Sequence, residues 1–322
     1  MASWTEATRD ELAAAHARPG GAGRAGPTPD DVSPAHPAPA APPAPPARGL
    51  LHPELVGPVF RLGRHPAAPG LDEYVEHYWS VEWDLPTART QPSGVLSHPA
   101  LHLTVEDADH PQHGVAMPAA LVHGVPTRRF EITLRGSGRV IGAKLRPGAL
   151  TALTGAPAHP LSDRVVPARE LWPDADALRD EVLATRRDED RVAVLDAFLA
   201  ARLPTTPDPR SATAREVVAH VMADRSLTRV DQVAAAHGLT VRTLQRLTRE
   251  HVGVSAKWLI RRGRLQDAVA DLQADPGTDL GALAVRLGWY DQAHLTRDFT
   301  AAVGVSPARY ARSLRTAPQP AG

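Results

Sequence analysis

Polar side chains recur every three or four residues in one short segment, namely Arg242, Gln245, Arg246 and Arg249. In an α-helix this spacing places all four on a single exposed stripe. Arginine can donate two parallel hydrogen bonds to guanine, glutamine can pair with adenine, and either can bind a phosphate. The stripe therefore has the chemistry needed to read a DNA major groove. The solvated face of an ordinary helix would show the same pattern.

The elements that would position this stripe favour the DNA interpretation. Val230 to His237 has the periodicity of a short helix, which Ser226 or Thr228 would cap. Gly238 supplies a turn with positive φ, and Thr240 would cap the second helix, which carries the stripe. The residues of that second helix that we expect to face inward are Val241, Leu244, Leu247 and Thr248.

The same pattern occurs a second time. Gly238–Ser255 and Gly288–Ser306 share a leading glycine, then Leu-x-Arg, then Val-Gly-Val-Ser. Two helices joined by a tight glycine turn form a helix-turn-helix, so the repeat predicts two such units. A helix from Ala256 to Ala274, capped by Ser255, would join them.

The second copy carries a weaker set of base-reading side chains. Gln292, His294 and Arg297 would face outward, whereas Asp291 and Asp298 have the wrong sign for phosphate. Asp291 can instead cap the second helix of this copy, as Asp279 can cap the first. We therefore expect the second unit to contribute more to positioning than to sequence discrimination.

The sequence from about Ala214 to Arg312 resembles the DNA-binding domain of AraC-type transcriptional regulators. The resemblance rests on three strings, Thr243 to Ser255, Trp258 to Arg262 and Leu287 to Phe299. It also rests on the C-terminal Gly304-Val-Ser-Pro307 and Tyr310. It implies two helix-turn-helix units bridged by a helix. Two departures are Thr248, where a large core residue is usual, and Gly263 within the bridging helix. The candidate DNA-binding residues are Thr240, Arg242, Thr243, Gln245, Arg246, Arg249, Gln292, His294 and Arg297.

The front region has strand-like segments separated by proline and glycine. These segments are Tyr74–Trp83, Val95–Val105, Phe130–Leu134 and Arg139–Leu145. They predict a small antiparallel β-barrel or sandwich, followed by helices at Ala175–Thr185 and Asp190–Arg202. Strings such as His77-Tyr-Trp79 and Arg146-Pro-Gly148 resemble an uncharacterised domain found before AraC-type units. The wider AraC-type family usually has a cupin-like barrel at this place, so the resemblance implies such a barrel for effector binding or dimerisation. The predicted fold class is α+β, with this β-rich domain in front of an all-α domain.

The chain divides near Ser211. Before this residue it has 21 basic and 26 acidic residues, and from it onward 15 basic and 10 acidic ones, so the basic surplus lies in the C-terminal part. The predicted segments are a disordered Pro/Ala-rich extension (1–49), a β-rich domain ending in helices (50–203), a linker (204–210), the double helix-turn-helix domain (211–315) and a disordered tail (316–322).

Histidines in the front region raise a second interpretation. They are His77, His98, His102, His110, His113 and His123. Imidazoles on neighbouring strands can converge on a metal, but the sequence has no His-x-His followed by a downstream glutamate. We therefore expect structural or surface histidines, with no metal, cofactor or catalytic residue. The alternative is a metal-dependent cupin-like enzyme or metal sensor tethered to DNA, with His98 and His102 as the first pair to test.

The sequence thus predicts a transcriptional regulator, activator or repressor, that is not an enzyme. Its partner would be double-stranded DNA, and a small-molecule effector, RNA polymerase and a second copy of the chain are considered as well. The absence of cysteine excludes disulfides, thiolate metal sites and cysteine nucleophiles. No stretch approaches the roughly 18 apolar residues of a membrane span, and the first residues lack a secretory signal, so the expected location is cytoplasmic and nucleoid-associated.

Overall fold

The computed structural model describes residues 60–86, 91–95 and 98–316. The predicted extension at 1–49 and all but the first residue of the predicted tail lie outside these residues. The strands are β1 (Phe60–His65), β2 (Val75–Asp84), β3 (Gln91–Val95), β4 (His102–Ala108), β5 (Ala119–His123), β6 (Phe130–Leu134), β7 (Ser137–Leu145) and β8 (Val165–Pro167).

The helices cluster in the second half of the described chain. They are α1 (Ala149–Thr154), α2 (Ala175–Ala184), α3 (Asp188–Ala200), α4 (Pro209–Ala223), α5 (Val230–Ala236), α6 (Val241–Leu247), α7 (Ala256–Ala274), α8 (Leu280–Arg286), α9 (Gln292–Val303) and α10 (Pro307–Thr316). A π-helical turn, Thr248–Val252, follows α6 directly. No helix in the described ranges has the length and apolar character that a membrane crossing requires.

Six strands form one antiparallel sheet in the order β1-β2-β7-β4-β5-β8, and β3 pairs separately with β6. The predicted α+β class with an N-terminal antiparallel sheet is confirmed. Within the described residues the six-stranded sheet ends at β1 and β8, so it is open rather than closed into a barrel.

The observed strands agree only in part with the predicted ones. The prediction for β6 is confirmed, whereas the single strand predicted from Val95 to Val105 is wrong, because β3 ends at Val95 and β4 begins at His102. Pro99 lies between them and has no N–H to donate to a ladder. The sequence analysis missed β1, β5, β8 and all but the last residue of β3, which are short strands.

Alternation along the strands gives the sheet one apolar and one polar face. Tyr78 pairs with Ala143, and Leu103 pairs with both Ala143 and Val122, so these side chains share a face. That face packs against α2 and α3, and the Tyr78 hydroxyl donates to Asp196 Oδ1 of α3 at 2.7 Å. The opposite face carries polar side chains of the same strands.

Two large hydrophobic cores lie in the described chain. The first core runs from the sheet through α1 and α4 to α5, α6 and the first part of α7, ending at Ile260. The second core begins at Leu265 and joins the rest of α7 to α8, α9 and α10. Helix α4 begins at Pro209, inside the segment predicted as a linker, and Asp208 caps it by accepting from the Arg210 N–H at 2.9 Å. The front domain, residues 60–203, therefore shares its core with the first helix pair.

Candidate nucleic-acid interface

The first helix-turn-helix unit consists of α5, the turn at Gly238 and α6. Gly238 has φ 63°, and Thr240 Oγ1 accepts from the Thr243 N–H at 3.1 Å, which confirms the predicted turn and cap. The predicted caps of α5 are wrong. Gln232 Oε1 instead accepts from the backbone N–H groups of Thr228 and Arg229, at 3.0 and 2.9 Å, because its longer side chain folds back over the helix start.

The polar stripe of α6 faces solvent. Arg242, Gln245 and Arg246 of α6 and Arg249 of the π-helical turn that follows it are exposed. Leu244 and Leu247 are buried in the first core. Within the described ranges, the side chains of these four residues form neither a hydrogen bond nor an ion pair. Thr240 is exposed and Thr243 half-buried at the start of the same helix. The stripe is therefore available for intermolecular hydrogen bonds.

Of the residues predicted to face inward here, one does not. Val241, predicted to face the core, is 40% exposed, because it lies in the first turn of α6, where the helix has not yet reached the core. Thr248 is fully buried as predicted, and its hydroxyl donates to the Gln245 carbonyl at 3.3 Å. The π-helical turn begins at this residue.

The front domain donates hydrogen bonds to backbone carbonyls of the π-helical turn and of Gly253 after it. The Gly148 N–H donates to the His251 carbonyl at 2.9 Å, and the Ala158 N–H donates to the Glu250 carbonyl at 2.7 Å. Ser162 Oγ donates to the Gly253 carbonyl at 2.5 Å. These bonds fix the C-terminal end of α6 and the turn after it relative to the front domain.

A second contact joins the front domain to the bridging helix and to α9. Trp258 of α7 is half-buried, and its Nε1 donates to the Thr127 carbonyl at 3.2 Å. The Arg129 guanidinium lies against Gly304, the C-cap of α9. The segment after β5 thus contacts the helices around both units.

The second unit consists of α8, the turn at Gly288 and α9. Asp279 accepts from the Ala282 N–H at 2.6 Å and Asp291 from the His294 N–H at 2.7 Å, so both predicted caps are confirmed. Gln292 and Arg297 are exposed on α9, and the His294 ring is partly exposed. Together they leave fewer donors available than the stripe of α6.

Asp298 is not on the exposed face of α9, where its negative charge would repel a phosphate as the sequence suggested. It is 7% exposed, accepts from Trp289 Nε1 at 3.0 Å and pairs with Arg261 at 2.9 Å. His294 Nε2 lies 3.6 Å from Asp298 Oδ2, the oxygen that also accepts from Trp289. The carboxylate is therefore part of the internal support of α9.

Tyr290 is a surface residue that the sequence analysis missed. Its side chain is 89% exposed in the turn immediately before α9. A hydroxyl on an exposed ring beside a DNA-binding helix can donate to a phosphate. Helical periodicity cannot reveal it because it lies outside the helix, but an aromatic residue beside the turn glycine was a usable signal.

The two units are fixed relative to each other at Gly288. Its φ is 80°, and a Cβ there would lie 2.8 Å from Thr228 Cγ2 of the first unit's leading segment. Arg264 of α7 donates to the Gly288 carbonyl at 2.6 Å and stacks on Trp289, 4.9 Å from the ring centroid. A close approach also explains why position 263 of α7 is a glycine. A Cβ there would lie 3.1 Å from the Val221 carbonyl of α4.

Alanine at the two turn glycines should therefore have unequal effects. Gly238→Ala should cost about 1 to 2 kcal/mol of the free energy of unfolding, since only its left-handed φ is violated. Gly288→Ala should cost more, because it also clashes with Thr228, and adding Thr228→Ser should recover the difference. Urea denaturation followed by circular dichroism measures both. Equal costs at the two positions would contradict the contact.

His98 and His102, the pair named above as the first to test for a metal site, do not meet in the structure. His102 accepts from Trp79 Nε1 at 3.0 Å, and His98 lies 3.4 Å from Gln266 of α7. His113 and His123 instead meet at Glu106, which the sequence analysis did not single out. Burial alone would raise the pKa of Glu106, but the hydrogen bond from His123 and the nearby imidazoles outweigh it, and this pKa is lowered.

Comparisons with known proteins agree with this arrangement. Residues 233–313 match a helix-turn-helix domain family, and residues 63–167 match a domain of unknown function, DUF6597. No curated protein sequence matches the chain.

Similar solved structures include the C-terminal domain of AraT, a response regulator from Geobacillus stearothermophilus, at 23% identity over 33% of this chain and 88% of that chain, with a TM-score of 0.30. ToxT from Vibrio cholerae is 11% identical over 79% of this chain and 97% of that chain, with a TM-score of 0.37. Unsaturated fatty acid-bound ToxT is 10% identical over 78% and 94%, with a TM-score of 0.36. These scores are low, so the assignment depends on the family matches and the two helix-turn-helix units. The chain thus joins a domain that matches DUF6597, over residues 63–167, to one that matches a helix-turn-helix domain family, over residues 233–313.

Proposed function

We propose that this protein regulates transcription by binding double-stranded DNA with both helix-turn-helix units. The observation that carries the proposal is the exposed stripe of Arg242, Gln245, Arg246 and Arg249. It lies on the second helix of a capped unit whose position is fixed by the rest of the chain. A stripe that only solvates a helix would not need such fixation.

The residues of the first unit divide by their position along α6. Arg242, Gln245 and Arg246 reach base edges, where bidentate hydrogen bonds distinguish guanine and adenine. Arg249 lies at the end of the stripe and binds phosphate. The hydroxyls of Thr240 and Thr243 lie at the helix start, where phosphate contacts are common.

The second unit binds the neighbouring major groove with Gln292, His294 and Arg297, and Tyr290 adds a phosphate contact. Helix α7 has 19 residues, which corresponds to a length of about 28 Å. This is close to the roughly 34 Å between successive major-groove faces on one side of the duplex. One chain can therefore engage two groove segments.

The front domain would act by linkage rather than catalysis. It contacts the π-helical turn after α6 and the C-cap of α9. An effector or a second copy of the chain that favours one arrangement of these contacts changes the affinity for DNA. We include a cytoplasmic location and nucleoid association in the proposal, since the DNA to be bound lies there, and recruitment of RNA polymerase for the case in which the protein is an activator.

Arg246→Ala should weaken binding to a specific site by about 1 to 3 kcal/mol and relax the preference at one base pair. The site is first obtained by selecting bound duplexes from a random library with the full chain, and affinities are then measured by fluorescence anisotropy. Arg186→Ala is the matched control, because Arg186 is an exposed arginine in the α2–α3 turn of the front domain.

The outcomes separate the roles of the arginine. An equal loss on all duplexes would reassign Arg246 to phosphate binding. Failure of the unmodified chain to enrich any sequence would contradict specific DNA binding itself.

A further inference from the structure

Three side chains with metal-binding atoms converge on the polar face of the sheet. Glu106 lies in β4, His123 at the end of β5, and His113 in the connection between these strands. His123 Nε2 is 2.8 Å from Glu106 Oε1, and His113 Nε2 is 3.6 Å from Glu106 Oε2. One ligand atom from each residue lies within 4.8 Å of the other two. We propose that Glu106, His113 and His123 bind one divalent transition-metal ion.

The ligand set fits ions such as Zn²⁺ and Fe²⁺, which accept imidazole nitrogen and carboxylate oxygen together. Ligand atoms about 2.1 Å from such an ion are separated by about 3.0 to 3.4 Å in octahedral or tetrahedral geometry. The two separations at Glu106 are 2.8 Å to Oε1 and 3.6 Å to Oε2, and the ligand atoms of the whole set lie within 4.8 Å of one another. The imidazoles would therefore move closer together when an ion completes the coordination.

The surroundings hold the carboxylate in place. The Glu106 side chain is only 7% exposed, and those of His113 and His123 are 13% and 14% exposed. Thr104 Oγ1 donates to Glu106 Oε1 at 2.7 Å. A hydrogen bond of this kind orients a ligand and tunes its basicity, as outer partners do in metal sites.

The backbone also presents His113 in an uncommon way. Its φ is 53°, a left-handed conformation that few residues other than glycine adopt. The turn that holds it is closed by hydrogen bonds between Gln112 and Val115, at 3.0 and 2.7 Å. Strained conformations of this kind persist where neighbouring structure enforces them, and ligand clamps are among such places. The ring of His113 consequently lies edge-to-face with that of His123, with centroids 4.8 Å apart.

The competing interpretation is a hydrogen-bonded His–Glu cluster that stabilises the fold without an ion. Both interpretations include the contacts of His113 and His123 with Glu106, but only a metal site binds one ion per chain and loses it when either imidazole is removed. Since the ion would bind within the front domain, the proposal holds whether or not the helix-turn-helix units bind DNA. A metal ion would then be a candidate effector for this domain.

The test uses the purified full chain after chelator treatment. Titration with Zn²⁺ by calorimetry, and elemental analysis after dialysis, should give one ion per chain. Titration with Co²⁺ should produce the visible absorption bands of a protein-bound ion. His123→Ala and His113→Asn should each weaken binding by more than about tenfold. Asparagine is chosen at position 113 because it tolerates the left-handed conformation while removing the imidazole.

His77→Ala is the matched control, since His77 is another histidine of the front domain with a 15% exposed side chain but lies outside the cluster. Its ion content should equal that of the unmodified chain, and circular dichroism should show all variants folded. The proposal fails if the unmodified chain retains no stoichiometric ion. It also fails if His113→Asn binds as tightly, or if His77→Ala loses the ion.

Discussion

Phe299→Ala is expected to unfold the second helix-turn-helix unit while the front domain and the first unit stay folded. Phe299 is fully buried in the second core, with its ring centroid 5.7 Å from that of Tyr310. Truncating a buried phenylalanine costs about 3 to 5 kcal/mol. The second core has fewer buried residues than the first and is separate from it, so the loss falls on one local folding unit.

Hydrogen exchange followed by mass spectrometry measures this outcome by segment. Peptides from residues 265–311 should lose protection, whereas those from residues 98–260 should keep theirs. Phe299→Leu is the conservative control and should lose far less protection. Uniform loss along the chain would contradict two independent cores.

Leu150→Ala should destabilise the front domain and the first unit together, by about 2 to 5 kcal/mol. Leu150 is fully buried in α1, which packs against α4 and the π-helical turn after α6. Its cavity would therefore open in the core that both regions share. The second unit should be spared, which is the reverse of the Phe299→Ala pattern.

The same exchange experiment tests this second prediction. Loss of protection should appear both in the strands and in peptides covering α5 and α6. Leu203→Ala provides a comparison, because Leu203 packs at the edge of the same core and is half-buried. Loss confined to residues 98–203 would show that the first unit does not depend on the front domain.

Local chemistry explains why the helical half could be predicted in detail. The caps at Thr240, Ser255, Asp279 and Asp291 all form as expected, and α7 has the predicted bounds, Ala256–Ala274. Capping depends on residues three or four positions apart, so the sequence contains it directly. The exposed stripe of α6 follows from the same short-range periodicity.

Long-range geometry explains what the sequence could not provide. The cluster of Glu106, His113 and His123 depends on the β4–β5 register and on a left-handed residue in the connection. Neither leaves a motif of fixed spacing. The docking of Gly148 on His251 joins residues about a hundred positions apart through backbone atoms, which side-chain patterns do not encode.

The point at which the two cores meet determines where parts of this protein can be joined to another protein in a chimera. A chimera that exchanges its C-terminal part at Ser211 would cut through the first core and leave Ala214, Val217 and other apolar side chains without partners. A junction inside α7, between Ile260 and Leu265, would keep each core whole. The transplantable piece is therefore a single helix-turn-helix with half of its connecting helix, and the other unit belongs structurally to the domain in front of it.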